Sequence, residues 1–70
     1  MDIGKEVQMA ITMKQARVGV DMTQRDMATA MGCSYGTYRK WEQKPGEMPI
    51  KAAQKFCSIV KLTYDEIIFA

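Results

Sequence analysis

The stretch TQRDMATAMGCSYGTYRKWEQK, from Thr23 to Lys44, narrows the possible folds more than any other, because it holds two helix starts with a helix stop between them. A threonine hydroxyl accepts well from the backbone N–H groups at a helix start, and Asp26 stands three residues after Thr23 in a box-like position. The first of the two helices is therefore predicted to begin near Gln24. Met27, Ala28 and Met31 then share one face at helical spacing, and Gly32 follows where a positive φ would be needed to stop the helix. Ser34 supplies the next start. The buried side of the second helix is predicted at Tyr38 and Trp41, which leaves Tyr35, Gly36, Arg39 and Lys40 toward solvent.

Two short helices joined by a tight turn, the second facing outward, form the arrangement that places a helix in the DNA major groove. The segment MTQRDMATAMGCSYGTYRKWEQ resembles the phage repressor and Cro-type (XRE-like) helix-turn-helix family. Gln24, Ala28, Gly32, Ser34, Thr37, Trp41 and Glu42 stand where such proteins usually carry those residues. The resemblance runs over about residues 9 to 69. It implies an all-α fold: a compact five-helix, lambda-repressor-like DNA-binding domain, with the helix-turn-helix at helices 2 and 3 and residues 1–70 as one domain.

The remaining elements are read around that unit. Residues 3 to 20 are predicted to be helical on a stripe of Met9, Met13, Ala16 and Val20, with Gly4 and Gly19 blurring the ends. Asp21 occupies a turn position where the family more often has glycine, and aspartate tolerates left-handed geometry. The run KPGEM, Lys44 to Met48, is interrupted by Pro45 and Gly46, so the second motif helix should end by about Gln43. Pro49 suits the first turn of a fourth helix, in which Ile50, Ala53, Cys57 and Val60 repeat at helical spacing beside Phe56. Thr63 and Glu66 form a T-x-x-E capping box that would open a last short helix carrying Tyr64, Ile67, Ile68 and Phe69.

Composition excludes several classes of function. The chain has no histidine, so Ser/His/Asp and Cys/His arrangements cannot form. Two cysteines, Cys33 and Cys57, without other soft ligands do not make a metal site, and their core-facing positions argue against a disulfide. The glycines at 32, 36 and 46 match no phosphate-loop fingerprint, so neither an enzyme nor a cofactor nor a small-molecule substrate is expected. No apolar run of about 18 residues would span a membrane and no secretory signal is legible, which points to the cytoplasm. The net charge is only +2, but its distribution is uneven. Residues 1 to 31 sum to zero, whereas residues 32 to 61 carry six basic side chains against Glu42 and Glu47.

The family resemblance assigns roles on that frame. Gln24 would meet a phosphate or brace the reading helix, and Ser34 would cap that helix or add a hydroxyl contact, as would Thr37. Tyr35 could touch a thymine methyl; Gly36, where the family usually offers a polar side chain, would either let the backbone approach DNA closely or shift sequence reading to Tyr35, Thr37 and Arg39. Arg39 is the candidate for a guanine contact, and Lys40 and Lys44 for phosphates. Arg17 and Glu42 resemble the family's partly buried pair, and Trp41 its packed ring. Ile67, Ile68 and Phe69 cannot all face the core of one short helix, so a homodimer through Leu62 to Ala70 is expected on double-stranded DNA. The expected function is a sequence-specific transcriptional regulator of bacterial or phage repressor type. The alternative is a helix-turn-helix module that acts mainly on a protein partner, as an antirepressor or antitoxin does.

Overall fold

The computed structural model describes residues 10–69. Met9 and the rest of the predicted helical segment before Ala10 lie outside the described residues. Within them are four α-helices: α1 (Met13–Gly19), α2 (Gln24–Met31), α3 (Tyr35–Gln43) and α4 (Ile50–Val60). Two 3-10 turns, Pro45–Glu47 and Tyr64–Glu66, complete the order.

The helix starts follow the cap chemistry. Thr23 Oγ1 accepts from the Asp26 N–H at 3.0 Å while Asp26 accepts from the Thr23 N–H at 3.0 Å, so α2 opens with a complete capping box. Ser34 Oγ accepts from the Thr37 N–H at 3.1 Å and opens α3. The first helix corrects the sequence expectation: Ala10 to Thr12 are not helical, and α1 begins only at Met13. The reason is a second capping box, Thr12 with Gln15, which satisfies the first free N–H groups there. Just ahead of it, Ile11 pairs in parallel with Ile67, so this part of the chain is drawn into extended geometry.

Three helix ends share one device. Asp21, Gly32 and Lys61 are left-handed, with φ of 59°, 74° and 59°. In each case the N–H of the next residue reaches back to a carbonyl inside the helix: Met22 to Arg17, Cys33 to Ala28 and Leu62 to Cys57. Gly32 and Asp21 were legible as such positions. Lys61 was not, since a lysine advertises no preference for this backbone.

The expected fifth helix shrinks to the single 3-10 turn Tyr64–Glu66. Its start is as read, with the Glu66 carboxylate accepting from the Thr63 N–H at 2.8 Å. Propagation stops because Ile67 turns extended, at φ −123° and ψ 140°, to meet Ile11. The hydrogen bonds Ile11 N–H to Glu66 and Ile68 N–H to Ile11 lace the two chain segments together.

The core collects Met13 and Ala16 from α1, Met27, Ala28 and Met31 from α2, Tyr38 from α3, and Ala53, Phe56 and Val60 from α4, closed by Met48 and Ile67. The stripe on α4 holds except at its first member: Ile50 is 70% exposed. It lies one turn beyond Ala53, past the edge of the packed core. Cys33 and Cys57 are free and half-buried on the flank of the core, where burial pushes both thiols up and away from reactivity.

Candidate nucleic-acid interface

The α2–turn–α3 unit is held by a polar hub on Glu42. Arg17 Nε donates to Glu42 Oε2 at 2.6 Å, and Arg17 Nη2 reaches Oε1 at 3.5 Å. Tyr38 Oη donates to Oε2 at 2.5 Å and Gln24 Nε2 to Oε1 at 3.0 Å. The remaining Arg17 donor, Nη1, meets the Met22 carbonyl at 2.9 Å. One carboxylate therefore gathers α1, α2 and α3, and one guanidinium adds the turn between α1 and α2. The two side chains of the ion pair are only 9% and 7% exposed, so each needs the other to offset desolvation.

Protonation follows from that geometry. Burial pushes the Glu42 carboxyl up, but the hydrogen bonds from Arg17, Tyr38 and Gln24 outweigh it and hold it below the usual carboxylate range. The bond to Glu42 raises Arg17 further. Burial, and then the bond to Glu42, drive the Tyr38 phenol far above its ordinary range, so it remains a donor. Because Glu42 can only accept, the amide group of Gln24 facing it must be the NH₂. The other side of that amide, Gln24 Oε1, accepts from Tyr35 Oη at 3.4 Å.

The structure thus places the expected residues in two sets. Arg17, Gln24 and Glu42 come together beneath α3, with Gln24 used as a brace. Tyr38 is fully enclosed, its ring stacked on Phe56 at 6.4 Å and 26°, whereas Trp41 is only half-buried against the core. Outward stand Arg39 in one row and Gly36, Lys40 and Lys44 in the next, whereas Tyr35, expected toward solvent, is half-buried because its hydroxyl turns back to Gln24. Ser34 Oγ donates to Thr37 Oγ1 at 2.9 Å, so both hydroxyls are engaged at the helix start.

One residue of this face was missed. Arg25, on α2, lies over the Tyr35 ring at 4.2 Å from its centroid, and Arg39 lies over the same ring at 5.7 Å. No spacing rule links positions 25 and 35, which meet only because the turn folds α2 onto α3. Asp26 beside it is held below the ordinary carboxylate range by the backbone N–H and hydroxyl of Thr23. Among the described residues no group of three or more His, Cys, Asp or Glu side chains could hold a metal ion.

The C-terminal residues separate. Ile67 is buried at 4% exposure. Phe69 is half-buried, edge-on to Phe56 at 6.4 Å and stacked on Tyr64 at 4.7 Å, and Ile68 is 42% exposed.

Four helices with α3 seated on α2 and its far side open define a helix-turn-helix protein. The helix-turn-helix family model matches residues 13–67, and the chain belongs to that family, of the XRE type, whose domains are DNA-binding and regulatory, not enzymatic. No curated protein and no solved structure matches it. No helix among the described residues is long and apolar enough to cross a membrane.

Proposed function

We propose that the chain is a sequence-specific regulator of transcription of the bacterial or phage repressor and Cro type, working in the cytoplasm by occupying operator DNA. The observation that carries this reading is the division of α3: Tyr38 and Glu42 lock one side down, while Gly36, Arg39 and Lys40 stand exposed on the other, beside a half-buried Tyr35. Arg39 offers a planar fork matched to the O6 and N7 acceptors of guanine, and Lys40 and Lys44 offer point charges for phosphates. Gln24 has one amide hydrogen beyond its bond to Glu42 for a phosphate, and Ser34 and Thr37 border the same face.

One reading helix covers few base pairs, so the working form is a homodimer on a pseudo-palindromic operator with half-sites about 10 base pairs apart. Exposed Ile68, next to half-buried Phe69 and the Ile67 anchor, supports the segment from Leu62 onward as the contact. The competing reading, a module acting mainly through a protein partner, is favoured by the net charge of +2 and by the bare Gly36. Gel shifts on random duplex at several salt concentrations separate the two. Binding that falls steeply with salt supports the DNA reading, and no shift at low salt overturns it. Selection of bound sequences from a random pool then gives the operator.

A further inference from the structure

We infer that Arg25 is a DNA phosphate-contact residue and that Tyr35 is the positioning residue that pre-orders both it and Arg39, an inference that rests on the DNA-reading face proposed above. The observation is the convergence of two guanidiniums on one ring, at 4.2 Å and 5.7 Å, from two different helices. Like charges gather there although no carboxylate among the described residues forms an ion pair with either one. The neighbouring acid, Asp26, is already committed to the Thr23 N–H. What holds the arginines is the negative face of the ring, and the ring is itself held through Gln24 and Glu42 back to Arg17 on α1.

Stacking of this kind leaves the guanidinium ready to bind. The ring holds the cation through its π face and not through a carboxylate or carbonyl, so the contact leaves the guanidinium's N–H donors for another acceptor. The ring removes rotamer freedom that a phosphate or base contact would otherwise have to remove. The two arginines differ in reach. Arg39 stands on α3, the helix that enters the groove, whereas Arg25 stands on α2, which crosses the sugar–phosphate backbone in this motif. Two guanidiniums gathered on one ring, with no carboxylate among the described residues paired to either, suit oxyanions, and the phosphate flanking the occupied groove is the one within reach.

The test is a duplex titration by fluorescence anisotropy across a salt series, for the parent and for Arg25→Ala, Arg39→Ala, Tyr35→Phe and Tyr35→Leu. Arg25→Ala should weaken all sequences alike and lower the salt slope by about one. Tyr35→Leu keeps every charge, so the slope should stay while affinity falls on the order of tenfold, the loss of two cation–π contacts. Tyr35→Phe keeps the ring and should restore nearly parental binding. In an Arg25→Ala, Arg39→Ala background, Tyr35→Leu should do nothing more. In the free protein, the arginine side-chain protons should show upfield ring-current shifts that vanish in Tyr35→Leu while the variant stays folded. A Tyr35→Phe variant as weak as Tyr35→Leu, while its arginine protons keep their upfield ring-current shifts, overturns the positioning role, because the ring would then still hold the arginines and the hydroxyl itself would be what binding needs. An Arg25→Ala variant that binds like the parent while Arg39→Ala is weakened overturns this inference and leaves the reading face standing. A parent that binds no duplex removes both.

Discussion

The two faces of α3 use the same nine residues for opposite purposes. On the inner face every polar atom named is matched: Glu42 accepts from Arg17, Gln24 and Tyr38, and the Tyr38 ring packs against Phe56. On the outer face Arg39 and Lys40, with Lys44 just past the helix end, are exposed and Gly36 has no side chain. Satisfied groups on the inside fix where the helix sits, and unsatisfied groups on the outside are left for something else to satisfy. The comparison teaches that orientation here comes from a polar hub as much as from apolar burial. A 70-residue chain has little apolar core to spare for locking a short helix at one angle.

Removing the inner ring should do the most damage. Tyr38→Ala deletes a side chain with 0% exposure, empties the space over Phe56 and takes one donor from Glu42. The expected loss is about 3 to 5 kcal/mol, enough to unfold much of so small a domain, and thermal melts would show it. Tyr38→Phe keeps the volume and removes only the bond to a charged acceptor, for a loss of about 1.5 to 3 kcal/mol. If both variants melt like the parent, the inner face does not carry the fold.

Breaking the ion pair comes next. Arg17→Ala leaves Glu42 with Tyr38 and Gln24 alone to offset its burial and should cost roughly 3 kcal/mol, whereas an apolar pair such as Arg17→Met with Glu42→Met should recover much of that. The same hub predicts acid sensitivity. Glu42 is held below its ordinary range when folded, so its contribution is fully present above the unfolded value and is lost as pH falls through the lower, folded one. Denaturant melts from pH 7 to 3 should show this loss in the parent and a flatter profile in Glu42→Gln.

These inner contacts were unevenly legible. The Arg17 and Glu42 pair was expected only through family resemblance, because residues 25 positions apart in sequence share no periodicity. Capping chemistry is local, so Thr23, Ser34 and Gly32 could be read directly, and Thr12 with Gln15 carried the same signature unread. The start of α1 was hidden by a tertiary contact, the Ile11 to Ile67 bridge, which also cut the last helix to one turn. The Arg25 and Tyr35 stack was invisible for the same reason: only the folded turn brings the two together.

On the outer face the effects should appear in binding and not in melting. Arg39→Ala should cost on the order of 1 to 3 kcal/mol of DNA affinity and relax preference at one base pair. Lys40→Ala and Lys44→Ala should weaken all sequences alike and each reduce the salt slope by about one. Titrations of the three variants against operator and random duplex would measure this. Unchanged binding in all three would take the outer face out of consideration and leave the protein-partner reading.

The smallest expected change is also the one that divides the two faces most cleanly. Gly36 lies in the first turn of α3 without a left-handed backbone, and a Cβ built there would meet nothing within 4 Å. Neither space nor backbone geometry therefore requires glycine in the free protein. Gly36→Ala should raise helix stability by up to about 0.5 to 1 kcal/mol, because alanine loses less backbone freedom on folding. If the position is glycine so that α3 can press against DNA, the same added methyl must stand between helix and groove. Gly36→Ala would then melt higher than the parent yet bind duplex more weakly, and Gly36→Ser would bind more weakly still unless its hydroxyl finds a partner. A variant that melts higher and binds as well as the parent would place Gly36 away from the contacted surface and move the reading edge toward Tyr35 and Arg39 alone.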